Sequence, residues 1–156
     1  MPSADPPEIP AQHWLAWCDG SACPNPGRIG LGAVLQAPDG RVFELSRSDP
    51  HRGCNNEAET RALLATLELA ESLGARHIVI HSDSDNVVRL ACDANTTEAR
   101  HLAPLFAQVR ECLTGFAEYE IRWLPQHRNA AADELARRAL GLAARAPQKP
   151  RKRTRR

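Results

Sequence analysis

Two short apolar runs, His13 to Cys18 (HWLAWC) and Ile78 to Ile80 within HIVI, lack the regular polar alternation of a strand with one wet face. Between them, in Glu57 to Leu73, Leu63, Leu67, Ala70 and Leu73 recur at helical spacing among good helix formers, and Gly74 ends the segment as a C-cap. A strand, helix, strand crossover makes its two strands parallel neighbours. The chain is therefore expected to be an α/β protein with these two strands in the middle of its sheet, covered on both faces.

The other segments build outward from that pair. Gly32 to Gln36 and Arg41 to Ser46 flank Ala37-Pro38-Asp39-Gly40, whose Asp-Gly step is a strong hairpin signal, so the first three strands form an antiparallel meander. In the third strand Phe43 and Leu45 mix with Glu44 and Ser46; in a fifth, Glu118 to Leu124, Tyr119, Ile121 and Trp123 alternate with Glu118, Glu120 and Arg122. Both read as outer strands. SDSDN can cap a helix through Asp83 to Leu90, Thr97 to Thr114 reads as another helix, and Ala130 to Ala144 closes the chain. The expected order is βββαβααβα.

The 156 residues suit one domain, placed at 12–144 between a Pro-rich lead-in, 1–11, and a basic tail, 145–156. The tail, RAPQKPRKRTRR, holds seven of the twenty basic residues and no acid. The remaining thirteen face nineteen acids, so the body is formally about −6 while the whole chain is +1. A basic run with no apolar face is expected to be disordered and suited to nucleic-acid phosphates. No run of about 18 apolar residues exists, and MPSADPPEIPAQ has neither a basic nor an apolar leader segment. The five cysteines are odd in number and scattered without a CxxC pair, which favours reduced thiols over disulfides or zinc ligation. A cytoplasmic protein without membrane contact is expected.

Asp19 is the anomaly in this pattern, because it stands at the end of an apolar run where an unpaired buried charge is costly. If the first and fourth strands are parallel neighbours about 4.8 Å apart, Asp19 and Asp83 meet at the same sheet edge. Glu59, in the first turn of the long helix, and Asp133, near the start of the last helix, can be aimed there too. Four gathered carboxylates would repel one another unless cations are present, and Mg²⁺ is the common hard ion that also binds phosphates. Two such ions about 4 Å apart can clamp both oxygens of a phosphodiester displacement. A polynucleotide is the substrate this implies.

The segments CDGSACPNPGRIGLGAVL, CNNEAETRALLATLELA, HIVIHSDSDNVVRL and WLPQHRNAAADELARRA, in this order over roughly residues 13 to 144, resemble the type 1 ribonuclease H family. The resemblance implies a ribonuclease H-like fold with a mixed five-stranded sheet in the order 3-2-1-4-5 and helices on both faces. It implies hydrolysis of the RNA strand of RNA/DNA hybrids by two metal ions, Mg²⁺ with Mn²⁺ as substitute, leaving 5′-phosphate and 3′-hydroxyl ends. Asp19, Glu59, Asp83 and Asp133 match the metal-ligand positions, and His127 matches a mobile histidine that aids proton transfer or product release. Asn25, Asn55 and Asn56 match residues that touch the hybrid, a task suited to amides because they both donate and accept.

Three features depart from the family pattern. Cys54 stands where many relatives have a hydroxyl that binds a DNA phosphate, and Asp85 where a neutral amide is frequent. The segment after Leu90, ACDANTTEARHL, lacks the basic protrusion that grips the hybrid in many bacterial members, while the loop from His127 to Asp133 resembles the compact form of archaeal-type relatives. The basic tail is expected to replace that grip in a monomeric enzyme. Two rivals are another nuclease of the same superfold, resolvase- or exonuclease-like, and a non-catalytic nucleic-acid-binding module.

Overall fold

A computed structural model describes residues 7–92 and 100–145. The expectations for 1–6, 93–99 and 146–156, which include most of the lead-in, of the segment after Leu90 and of the tail, lie outside the described residues. The elements are β1 (Trp14–Cys23), β2 (Gly27–Gln36), β3 (Val42–Gly53), α1 (Asn55–Ser72), β4 (His77–Ser82), α2 (Asp85–Cys92), α3 (Ala103–Thr114), β5 (Glu118–Trp123) and α4 (Ala130–Ala139). Short 3-10 turns, Arg100–Leu102 and Gln126–Arg128, lead into α3 and α4.

The five strands form one sheet in the order β3-β2-β1-β4-β5. The meander is antiparallel, and β4 runs parallel to both β1 and β5, as the crossover through α1 requires. One face of the sheet packs on α1, which is itself backed by α3; the other carries α4 across β1, β2 and β3. Leu63, Leu67, Ile29, Leu31, Leu35, Ile78, Ile80 and Val109 are almost fully excluded from water on the α1 side. Each such side chain contributes roughly 1.5 to 3 kcal/mol of transfer free energy.

Coverage of the central strands is uneven, contrary to the expectation from their sequences. Along β1, Trp14, Ala16 and Cys18 are buried against the α1 face, whereas Leu15 and Trp17 on the other face are half-buried. α4 reaches β1 but does not extend over β4 and β5, so the apolar character of Leu15 and Trp17 is only partly used. Trp17 instead stacks on His81, its register partner across the sheet, with ring centroids 5.1 Å apart. Of the alternating apolar residues of β5 only Ile121 is buried; Tyr119 and Trp123 are about half exposed.

Several boundaries also differ. β1 does not stop at Cys18: Asp19 to Cys23 continue the ladder with β2, pairing with Gly32 to Arg28, and the Pro-rich turn begins only at Pro24. Asp19 is therefore an internal strand residue. β2 correspondingly begins at Gly27, and its Gly30 and Gly32 face α4, where a side chain at position 32 would overlap the Ala132 carbonyl. β3 runs on to Gly53 as a mostly exposed, charge-rich edge with an irregularity opposite Arg28 and Ile29, a form that discourages pairing with other chains. α4 ends at Ala139, with Gly141 at φ +73° and its N–H bonded to the Arg138 carbonyl, so the helix does not reach Ala144.

Candidate active site

The register explains how the carboxylates meet. Trp17 and His81 are the last pair of the β1–β4 ladder, so Asp19 and Asp83 each lie two residues beyond it, on the same face. Past that pair, β1 stays with β2 while β4 ends at Ser82, which leaves a gap between the strands. Glu59 enters this gap from the opposite layer. It can do so because Gly20 has no side chain: a Cβ there would overlap the Ala58 carbonyl and lie within 2.5 Å of the Glu59 nitrogen, so α1 rests directly on β1. One carboxylate oxygen from each of Asp19, Glu59 and Asp83 falls within 4.8 Å of the others.

Asp133 completes the group from α4. Its carboxyl lies beside that of Asp19, whose pKa it helps to raise, and it is almost wholly buried. It stands beside the trio rather than inside it, because Arg145 holds it from the other side: the guanidinium Nε donates to both carboxylate oxygens at 3.1 and 3.2 Å. The first residue of the basic tail thus neutralises one member of the acidic cluster.

Burial and like charge set the protonation of the cluster. Burial, then the charge of Asp83 and the contact with Asp133, push Asp19 up to about 9. Burial raises Glu59 to about 7 against a hydrogen bond from Ser84, and Asp83 is raised by burial and by Asp133. These carboxyls cannot all ionise together within so small a volume without a cation. Oxygen-only donors, clustered and short of positive charge, fit a hard divalent ion and not a soft one. Asp19, Glu59, Asp83 and Asp133 are the residues that could hold it.

Three positioning groups carried no clear sequence signal. Ser84 caps α2, its Oγ accepting from the Val87 N–H at 3.2 Å, and its hydroxyl favours the charged form of Glu59. The SDSDN helix therefore begins at Asp85, with Asp83 in the loop ahead of it. Asn129, 1 % exposed, donates from Nδ2 to the Cys18 carbonyl at 2.9 Å and contacts Asp83, while its own carbonyl accepts from the Asp133 N–H. That single residue ties the start of α4 to the strand carrying Asp19. Trp123 donates its indole N–H to the Asp83 carbonyl at 3.1 Å. A polar residue just before a helix is a visible cue for a cap; that Asn129 reaches inward to β1 is not.

The asparagines form a second group at the mouth of the β1–β2 turn. Asn25 Oδ1 accepts from the Asn55 N–H, and Asn55 Oδ1 accepts from the Ala22 N–H, both at 3.1 Å, which locks the turn to the start of α1. Asn56, exposed beside them, accepts from Asn86 at 3.5 Å. His127 is exposed in the 3-10 turn before α4 and does not join the carboxylates. Cys54 is the residue ahead of α1 and makes no side-chain cap; Asp85 is exposed in the first turn of α2. Cys18 is buried on the α1 face, away from its neighbour, with its thiol pushed strongly upward by burial. Cys18, Cys23, Cys54 and Cys112 are free.

A 3-2-1-4-5 mixed sheet with acidic side chains gathered from β1, α1, the end of β4 and α4 defines the ribonuclease H-like class. Residues 18–139 match the family described as Reverse transcriptase-like. The chain is 36 % identical over 125 residues to Ribonuclease HI of Halobacterium salinarum, covering 80 % of this chain and 63 % of that protein. The crystal structure of RNase H1 from the same archaeon is similar with a TM-score of 0.77 and 35 % identity, over 83 % of this chain and 98 % of that one. The chain belongs to the type 1 ribonuclease H family.

Two further relatives widen the comparison. The N-terminal RNase H domain of rv2228c from Mycobacterium tuberculosis has a TM-score of 0.76 at 32 % identity, covering 83 % of this chain and 94 % of that one. The full Bifunctional protein Rv2228c matches at 35 % over 127 residues, which is 81 % of this chain and 35 % of that protein. LC11-RNase H1 in complex with an RNA/DNA hybrid has a TM-score of 0.74 at 26 % identity, over 82 % of this chain and 96 % of that one. The chain thus spans 63 % of the archaeal protein and about a third of the mycobacterial one. Among the described residues, no helix is long and apolar enough to cross a membrane.

Proposed function

We propose that this protein is an endonuclease that hydrolyses the RNA strand of RNA/DNA hybrids, leaving 5′-phosphate and 3′-hydroxyl ends. The observation that carries this reading is the convergence of Asp19, Glu59 and Asp83 within 4.8 Å, with Asp133 beside Asp19, in a chain of the type 1 family. Two Mg²⁺ ions, or Mn²⁺ in their place, supply when bound an activated water and stabilisation of the leaving oxygen. Asp19, Glu59, Asp83 and Asp133 would hold them. Ser84 fixes Glu59, Asn129 fixes Asp83 and the start of α4, and Arg145 must leave Asp133 before that carboxylate can bind a cation.

Substrate contact falls to the asparagines. Asn25 and Asn55 each spend Oδ1 on backbone N–H groups, which orients their amides and leaves the NH₂ groups for ribose hydroxyls and base edges. His127, exposed at the turn before α4, takes the role of proton transfer or product release. The catalytic domain is assigned to 12–144 of a monomeric, cytoplasmic protein, the free thiols of Cys18, Cys23, Cys54 and Cys112 among the described residues fitting a reducing compartment.

Cleavage of end-labelled RNA/DNA hybrid, RNA duplex and DNA duplex in Mg²⁺ tests the reading. Wild type should cut only the RNA of the hybrid, and Asp83→Asn should lose at least ~10²-fold of that activity while remaining folded. Cutting of DNA duplex would transfer the protein to another nuclease class of the superfold, and equal activity of both proteins would remove the assignment.

The basic tail is the proposed substitute for the missing protrusion. Truncation after Arg145 preserves the bond to Asp133 and removes six of the seven tail cations. Hybrid affinity should fall and its salt dependence flatten, by about 0.9 in slope for each phosphate that the tail no longer neutralises, with turnover at saturating substrate little changed. Binding titrations across a salt series measure both.

A further inference from the structure

The parallel strands bring together a second set of titratable groups at their other end. His13 immediately precedes β1, His77 opens β4 and Glu118 opens β5. Trp14 pairs with Ile78, and His77 pairs with Glu118, so the three residues form one lateral row on a single face of the sheet. The His13 and His77 rings are 5.3 Å apart at 45°. His13 Nε2 is 3.1 Å and His77 Nδ1 3.8 Å from the same carboxylate oxygen, Glu118 Oε2. One ligand atom from each residue lies within 4.8 Å of the other two.

We propose that His13, His77 and Glu118 bind a borderline divalent transition metal, Zn²⁺ being the best fit, at a site separate from the carboxylate cluster. Six residue steps along β4 and its exit separate His77 from Asp83, roughly 20 Å at 3.3 Å per residue. Two imidazoles and one carboxylate are a donor set suited to Zn²⁺, whereas Mg²⁺ takes oxygen ligands. Metal–ligand bonds of about 2.0 to 2.1 Å in a tetrahedron put ligand atoms about 3.3 Å apart. The 3.1 and 3.8 Å edges bracket that value, so small ring rotations close the site.

Three further observations bear on the site. His77 Nδ1 is buried with no hydrogen-bond partner, an arrangement that costs free energy unless something coordinates it. His13, with a side chain only 8 % exposed, is held in place by packing, so its Nε2 is preorganised. A pocket of about 150 Å³, lined by His13 and Glu118 but not by His77, opens beside the row and gives solvent access to two of the three groups. The ion would clamp the entry ends of three strands, which makes its effect one on stability and not on the hydrolytic step. The proposal stands whether or not the nuclease reading does.

The test uses the full-length chain stripped of metal and carrying Asp83→Asn, which weakens competition from the carboxylate cluster. Calorimetric titration with Zn²⁺ should show one tight equivalent, with a rise in Tm of ~5 °C that Mg²⁺ does not reproduce. Co²⁺ should give a tetrahedral visible spectrum without thiolate charge-transfer bands. Adding Glu118→Gln, at a side chain 65 % exposed and so tolerant of change, should weaken Zn²⁺ at least ~10-fold, as should His77→Asn. Glu118→Gln alone should leave hybrid cleavage unchanged. Absence of stoichiometric binding, undiminished affinity in Glu118→Gln, or thiolate bands in the Co²⁺ adduct would each overturn the proposal.

Discussion

The two ends of the β1–β4 pair lie on one face of the sheet, roughly 20 Å apart, and solve opposite electrostatic problems. At the entry end, two imidazoles face a single carboxylate, which His13 Nε2 reaches at 3.1 Å while His77 Nδ1 stays at 3.8 Å and unpaired. At the exit end, three or four carboxyls face one another, Asp19 is pushed up to about 9, and the cation in contact with the group is Arg145. Strand pairing alone produces both rows. The difference is that β1 and β4 are still hydrogen-bonded beside the histidines and part company before the aspartates, leaving room that α1 and α4 fill with further acids.

The largest effect expected from disturbing this contrast comes at Gly20. Gly20→Ala pushes α1 off β1 and draws Glu59 away from Asp19, while leaving the histidine row as it is. It should cost ~1–3 kcal/mol of stability and lower hybrid cleavage by more than ~10-fold. Urea denaturation together with initial rates checks both.

Next in size is the pH response of the metal-free protein. The carboxyls of Asp19 and Glu59 have folded-state values near 9 and 7, above the ordinary values of 3.8 and 4.5. Between those limits the unfolded chain has released its protons and the folded one still holds them. Their contribution to stability is therefore fully present below about pH 4 and is lost as pH rises toward 9. Melting curves in chelator should show Tm falling from pH 5 to pH 9, and Asp19→Asn should flatten the slope. A flat wild-type profile would mean that the exit end is no more strained than the entry end.

The smallest effect is assigned to Arg145. Removing a partly exposed guanidinium from Asp133 should let cations enter more readily, so Arg145→Ala should lower the Mg²⁺ concentration for half-maximal cleavage by ~2- to 5-fold. An unchanged or raised requirement would show that the guanidinium does not compete with metal.

Most of the layout is legible in the sequence. Apolar runs without alternation placed β1 and β4 centrally, the 3.6-residue spacing of Leu63, Leu67 and Ala70 marked α1, and Asp39-Gly40 marked the hairpin. The meeting of Asp19 and Asp83 followed from parallel register, since neighbouring parallel strands carry residues of equal offset to the same edge. The ends of elements were less visible. DGSAC looks like a turn in isolation yet extends β1 by five residues, because β2 supplies an antiparallel partner for each of them.

Local sequence determined the strands, the helices, their order and the acids that lie near the sheet's exit edge, because periodicity and short-range turn chemistry act within a few residues. Tertiary packing alone decided that α1 sits close enough on Gly20 to deliver Glu59, that Asn129 turns inward to the Cys18 carbonyl, and that Arg145 closes on Asp133. Those contacts join positions up to 111 residues apart, and their geometry depends on helix depth and side-chain direction, which no local pattern of residues encodes.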